Sequence, residues 1–521
     1  MQLGASMTSF AASKGTWMMV DGEWYCYDKN GDAYTNVFCS SNGKEYYVGD
    51  DGQLVRSEWV EYDGSYYFVN SSGAKITNDW RLTTPYDDDT ADEEWYYFKS
   101  NGKRAENEKI TYKGKTYYFD TDGKMLTGWV NTGDGTSAVN EATGYDADHT
   151  FYCDETGARV EGAWVKDVAP GVDDDDADAD EYWYYLKKAT GKPATGKQSN
   201  INGQIYLFNK YGQMQYGWVA EATDSDVKFL RLDEDDNEIA MEEATGKVYY
   251  CGDEDDGHAK KNKWTKTWLP DNTSEEDDDK EWFWFDKEGK LFRGGEKNGS
   301  ATASDAWKYK LSEGTLKKDA DESTGVISKK KVNSKDYWFT KDGVMLSKFY
   351  LINDAMYYFG GSDDGSMKTG SQSIKDNTGD TYKFYFYTKD QATSYKTPDG
   401  KHDLSKGAGV VGNQGNKLYW YGLQIQADDY KYQVATIKIN GTDYSFIVNS
   451  NGTIQHSANT EYKEDGDVLV KTGAYTKKNE EGKDVVIPTT FVKDGQAKYA
   501  IEDTNTIKKD VIDVNLGNFF Q

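Results

Sequence analysis

The chain has 521 residues and a formal net charge of −29, and none of its apolar runs approaches the roughly 20 residues of a membrane span. Such a charge repels nucleic acid and anionic lipid surfaces, so neither is an expected partner. Aromatic residues make up 15% of a chain that is only 37% hydrophobic, so rings rather than aliphatic side chains must fill its interior, and 52 Gly against 6 Pro favour many tight turns over proline-rich linkers.

The first residues read "MQLGASMTSFAASKGTW". Ser9-Phe10-Ala11 resembles a small-x-Ala cleavage site after a shortened apolar region, so residues 1–12 are read as the remnant of a signal peptide without its basic start. From there a phrase repeats. Trp17, Phe38, Trp59 and Trp80 are 21 residues apart, and Gly22, Gly43 and Gly64 each follow five residues after a leading aromatic. Ring-rich runs come next ("WYCY" from Trp24, "YYV" from Tyr46, "YYF" from Tyr66), then a second glycine at Gly31, Gly52 and Gly73. Period-two alternation in the ring-rich run, a polar turn such as "DKNG" or "NSSG", and a short return strand together predict a β-hairpin. One such hairpin is too small to be stable alone, so tandem copies must bury one another's rings.

The phrase continues with insertions at "WYYFKSNG" from Trp95, "YYFDTDGKMLTGW" from Tyr117, "FYCDETGARVEGAW" from Phe151 and "YLFNKYGQMQYGW" from Tyr206. Later copies are "WFWFDKEGKL" from Trp282, "YWFTKDGVML" from Tyr337 and "MYYFGGSDDGSM" from Met356. Acidic insertions at 85–94, 167–181 and 270–281 all fall between the leading aromatic and the ring-rich strand. Their Asp runs lack the spacing of a calcium loop and are read as solvated acidic loops. The expected fold is all-β: a solenoid of tandem hairpin repeats of about 20 residues over 13–370, with acidic loop insertions. Residues 371–521 are degenerate repeats or a small C-terminal β cap. Cys26, Cys39, Cys153 and Cys251 form no CxxC pair; they are read as small apolar fillers, and pairing of Cys26 with Cys39 stays open.

These residues resemble the cell-wall-binding repeats of Gram-positive bacteria, the choline-binding and glucan-binding repeat superfamily. "GKMLTGW" (Gly123 to Trp129) carries the closing part of that family's phrase and "QMQYGW" (Gln213 to Trp218) a weaker copy. The resemblance implies ligand clefts between successive hairpins, walled by rings from two repeats and sometimes a methionine. Carried over, the leading position falls to Trp17, Trp59, Trp80, Trp129, Trp164, Trp218 and Trp264, and the strand-opening position to Trp24, Tyr66, Trp95, Tyr184 and Trp282, with Trp307 a further candidate. The methionine position falls to Met125, Met214, Met345 and Met367. Glu45, Thr116, Thr150 and Ile205 break the strand-opening pattern and Lys109 breaks the leading one, so ring pairs are expected chiefly at Trp17 with Trp24, Trp59 with Tyr66 and Trp80 with Trp95. The candidate ligand-binding set is therefore Trp17, Trp24, Trp59, Tyr66, Trp80, Trp95, Met125, Trp129, Met214 and Trp218.

His149, His258, His402 and His456 are scattered, and no HExxH, GxSxG or phosphate loop is present, so neither catalysis nor a cofactor or metal is expected. The expected function is a secreted, cell-surface-associated module binding a wall polymer, choline-decorated or not, or a glucan. An α-glucan or host-glycan adhesin and a structural spacer whose rings are all core are the alternatives.

Overall fold

The structure is a computed structural model, and it describes residues 15–502 except 140–144, 173–178, 223–227, 233–240, 242–243, 271–275, 296–300, 304–305, 429, 474 and 488. The signal-remnant reading of residues 1–12 lies outside the described residues. The chain is all-β, its described residues holding many short antiparallel strands and one 3-10 turn. It divides into two compact units: Met1–Arg231 with Cys251–Ala259, and Leu232–Tyr250 with Lys260–Gln521.

The first unit is built mainly of two-stranded hairpins, the sixth of which gains a third strand, Ser137–Ala138. Hairpin 1 is Thr16–Val20 with Glu23–Tyr27, hairpin 2 Val37–Ser41 with Lys44–Val48, hairpin 3 Glu58–Tyr62 with Ser65–Val69 and hairpin 4 Asp79–Thr83 with Glu94–Phe98. Hairpins 5 to 8 pair Glu108–Tyr112 with Lys115–Phe119, Gly128–Asn131 with Thr150–Cys153, Ala163–Val168 with Glu181–Leu186, and Gly196–Ile201 with Gln204–Phe208.

Their turns correct one sequence expectation. The tight turn joining two full strands is not "DKNG" but the earlier glycine. Asp21-Gly22, Asn42-Gly43 and Asp63-Gly64 have both residues at positive φ, from 51° to 94°. That twist matches the twist of paired strands, and Asn-Gly or Asp-Gly supplies it at least strain. The second turn closes on an Asx acceptor: Asn70 Oδ1 accepts the amides of Ser72 and Ala74, and Asp120 Oδ1 those of Asp122 and Lys124. The chain after it makes only an isolated bridge to its own hairpin, as in Val48↔Leu54 and Phe119↔Met125.

That short return segment links neighbouring hairpins. The amide of Leu54 donates to the Trp24 carbonyl (2.9 Å), Lys75 to Glu45 (2.7 Å), Arg104 to Tyr66 (2.8 Å), Met125 to Trp95 (2.9 Å), Arg159 to Thr116 (2.8 Å) and Met214 to Trp183 (2.8 Å). One residue per repeat, here called the slot residue, is thus pinned by its backbone beside the strand-opening residue of the preceding hairpin. Between hairpins sit small ring clusters, such as Phe38, Tyr47 and Tyr67, or Phe68, Tyr96 and Phe98 against Trp59. Trp59 meets Tyr96 edge-on at 4.9 Å and 90°. Such contacts add about 0.5–1.5 kcal/mol per pair beyond area burial.

The second unit opens in the same style with hairpin 9, Lys263–Thr267 with Glu281–Phe285. Ile327–Val332 with Lys335–Phe339 forms hairpin 10, extended by Ala301–Ala303, and hairpin 11 is Phe349–Ile352 with Ala355–Tyr358. Larger sheets follow, including a five-stranded one drawn from Gly370–Lys375 to Leu423–Gln424. They enclose an aliphatic-rich cluster including Leu404, Val410, Ile437, Val448 and Ile454. All four cysteines are buried and none is in a disulfide, Cys26 and Cys39 sharing a cluster with Val48. The Cys26 thiol is pushed up by burial, its hydrogen bond with Cys39 opposing.

Candidate functional site

Four clefts between hairpins share one construction. In the first unit they open at hairpins 1, 4 and 7, and in the second at hairpin 9. The cleft at hairpin 4 is lined by Trp80, Trp95, Tyr112, Tyr117, Met125, Glu155 and Thr156. At hairpin 7 the lining is Trp164, Trp183, Tyr206, Met214, Asp255 and Asp256. Hairpin 9 offers Trp264, Trp282, Lys335, Tyr337, Met345, Asp363 and Asp364. Hairpin 1 offers Trp17, Trp24, Ser41, Tyr46, Leu54 and Ser72. Each combines a leading and a strand-opening Trp from one hairpin, a Tyr from the next, a Met or Leu at the slot, and polar residues just before a turn glycine further on.

The register explains the recurrence. Leu82 pairs with Trp95 and Lys166 with Trp183, two residues beyond the leading Trp, so both indoles stand on the same hairpin face. Trp80 and Trp95 lie 6.4 Å apart at 84°, and Trp164 and Trp183 6.4 Å apart at 88°. The Tyr wall is constant in three of them, Trp80–Tyr117 4.9 Å, Trp164–Tyr206 4.8 Å and Trp264–Tyr337 4.8 Å, and wider at hairpin 1, Trp17–Tyr46 5.7 Å. The slot thioether forms the floor and rests on a turn glycine. A Cβ at Gly157 would collide with Met125 Sδ, and one at Gly365 with Met345 Sδ.

Carboxylates stand at the rim. Trp183 Nε1 donates to Asp255 Oδ1 (3.3 Å), and Trp282 Nε1 to Asp363 Oδ1 (2.9 Å), which also accepts from Lys266 Nζ (2.9 Å). The hydrogen bonds from Trp282 and then Lys266 hold the Asp363 carboxyl below the usual range. Ring faces with an ionised carboxylate at the mouth attract a cation, and π faces contribute about 2 kcal/mol or more when the cation is desolvated. Cavity volumes run from about 150 Å³ at hairpin 7 to about 440 Å³ at hairpin 4. Small-molecule pockets span about 300–1,000 Å³, so these clefts suit a head group rather than a length of polymer.

Of the residues predicted from sequence, Trp17, Trp24, Trp80, Trp95, Met125 and Met214 line these clefts. Trp59 and Tyr66 come together, but the Arg104 guanidinium lies 5.4 and 4.4 Å from their ring centres. Trp129 is 8% exposed, its indole N–H bonded to the Val168 carbonyl (3.2 Å), and Trp218 is 6% exposed; neither is among the residues lining the four clefts. The strand-opening residue of hairpin 7 is Trp183 and not Tyr184, which is fully buried. Sequence reading missed Trp183, the Tyr walls and the rim carboxylates. The residues just before each turn glycine, Glu155-Thr156, Asp255-Asp256 and Asp363-Asp364, were the available signal. The loop 84–93 is not wholly solvated either: Tyr86 lies 4.7 Å from Tyr66, and the Thr84 carbonyl accepts from Trp59 Nε1 (2.9 Å).

Two family models match inside this array, the "Choline-binding repeat" over residues 89–128 and the "Putative cell wall binding repeat" over 57–75. Over these two stretches the chain carries repeats of the choline-binding and cell-wall-binding kind. These repeats are similar to part of glucosyltransferase-S of Streptococcus mutans serotype c (30% identity over 200 residues, 38% of this chain and 11% of that protein). Glucosyltransferase-I of Streptococcus downei is 25% identical over a 555-residue alignment, covering 94% of this chain and 29% of that protein. The chain thus spans less than a third of either curated relative. Among solved structures, CbpJ of Streptococcus pneumoniae TIGR4 covers 66% of this chain and 98% of its own at 20% identity, with a TM-score of only 0.35.

Proposed function

We propose that the chain is a non-catalytic, surface-associated repeat module that holds a cell-wall polymer by its quaternary ammonium groups, choline decoration being the fitting chemistry. The observation that carries this reading is the repeated grouping of two indoles and a tyrosine over a Met or Leu floor, with carboxylates at the rims of three of the four clefts. A neutral sugar gains nothing from those carboxylates as a charge, whereas a cation gains from both rings and rim. Within the first unit the clefts recur at hairpins 1, 4 and 7, which suits a ligand that itself repeats along a polymer.

The test sets two matrices side by side. The protein is passed over a tertiary-amine resin that mimics choline, then run in a native gel cast with soluble α-glucan. Retention on the resin with release by free choline is the expected result. Retardation by glucan with no retention on the amine would replace this reading with a glucan adhesin. Binding to neither would leave a structural spacer.

A further inference from the structure

Hairpins 2 and 3, which lie between the open clefts at hairpins 1 and 4, set rings around a basic residue at the slot. At hairpin 3 the Arg104 guanidinium carbon lies 4.4 Å from the Tyr66 ring centre, 5.4 Å from Trp59 and 5.8 Å from Tyr96. Its Nε donates to Glu106 Oε1 (2.9 Å), and its side chain is 7% exposed. At hairpin 2, Lys75 Nζ sits 4.8 Å from Phe38 and 5.4 Å from Tyr67, ion-paired with Glu45. Both side chains leave the backbone from the position that holds Leu54, Met125 and Met214 elsewhere, pinned by the same amide-to-carbonyl hydrogen bond.

We propose that Arg104 and Lys75 are resident occupants of their ring cages, so that the slot residue decides whether a repeat is open to an external cation or already filled by one of the chain's own. The inference rests on the reading of the open clefts as cation sites. A cage that keeps a cation needs π faces and a counter-charge, and Arg104 brings both together: rings on three sides and Glu106 two residues along. An external quaternary ammonium would have to displace a buried, ion-paired guanidinium, which costs more than filling an empty corner. Arg159 repeats the arrangement in part, with Glu161 two residues on, Nη1 donating to Tyr118 (3.0 Å) and Phe151 at 5.3 Å. Hairpin 5 has Lys109 and Thr116 where the two cage rings would stand, so removing Arg159 uncovers no cage.

The test counts ligands on the full chain, with choline chloride as the probe in equilibrium dialysis, and follows the Trp59 indole N–H by NMR, assigned through Trp59→Phe. Arg104→Met is expected to bind one more choline per chain than the wild type, while Arg104→Lys and Arg159→Met gain none. In the wild type, choline at saturation should leave the Trp59 signal in place, and in Arg104→Met it should move it. An unchanged stoichiometry in folded Arg104→Met, or a Trp59 signal that shifts with choline in the wild type, overturns the inference while leaving the open clefts as cation sites. The wild-type measurement stands even if Arg104→Met does not fold. Absence of choline binding by both chains overturns this inference and the reading it rests on together.

Discussion

Trp95 and Trp129 are the same residue type in opposite circumstances: the first is 44% exposed at the wall of an open cleft and the second 8% exposed against Tyr184 and Tyr152. Trp129→Ala is therefore expected to destabilise the chain by about 3–5 kcal/mol, as large-to-small core changes do. Trp95→Ala should cost far less stability but remove choline from the hairpin 4 cleft. Denaturant melts and a binding isotherm on each variant separate the two. Asp363 supplies the pH dependence. Its carboxyl is held low by Trp282 and Lys266, and beside it Asp364 is held low by hydrogen bonds from Lys368 and Ser366 against the upward push of burial. A depressed carboxylate keeps its charge until pH falls through its lowered pKa. Choline affinity at the Trp264 cleft should thus stay level from neutrality to about pH 4, the ordinary Asp value, and fall only below it. Loss of binding already between pH 6 and about pH 5, read by tryptophan fluorescence, would contradict the carboxylate's role. At this scale the sequence shows the rings but not their duty: Trp59 and Trp80 hold equivalent positions, yet the slot residue beside the first is Arg104 and beside the second Met125.

At the scale of the hairpin, the turn glycine after each ring-rich strand has two tasks. Gly157 has a φ of 77° and leaves room for the Met125 thioether that floors the hairpin 4 cleft. Gly157→Ala should cost about 1–3 kcal/mol for the left-handed backbone and push Met125 out of place. The expected result is a lowered melting temperature together with weakened choline binding, whereas a purely local turn defect would lower only the first. The 21-residue recurrence made the hairpins legible, but two glycines per repeat competed for the main turn. Asp-Gly and Asn-Gly at 21–22, 42–43 and 63–64 were the deciding signal, because in these repeats those pairs, and not the second glycines at 31, 52 and 73, place two consecutive residues at positive φ. The acidic insertions at 85–94, 167–181 and 270–281 fall, in sequence, around the connections between the paired strands of hairpins 4, 7 and 9, the three open-cleft hairpins with a rim carboxylate, and residues 173–178 and 271–275 of them lie outside the described residues.

For the whole chain, binding to open cages must appear as stability. One site at a ligand concentration 100 times its Kd adds about 2.7 kcal/mol, so choline should raise the melting temperature, and a neutral gluco-oligosaccharide at the same concentration should not. Both units hold an open cleft, so calorimetry should show no transition left unmoved by choline. A melting curve indifferent to choline would count against the cation reading throughout. The sequence was least informative beyond residue 300, where strands leave the one-hairpin, one-repeat pattern and join wider sheets around an aliphatic-rich cluster. Those pairings depend on contacts far apart in the chain, and a short-period pattern cannot report them.

The slot residue is held by its main-chain amide, whatever side chain it bears: leucine, lysine, arginine and methionine all make the same bond to the preceding hairpin. Anchorage and occupancy are thereby uncoupled. A one-residue exchange at such a position can vacate or fill a socket while the ribbon beneath keeps its course, so the valency of the array is free to drift by single substitutions within an unchanged architecture.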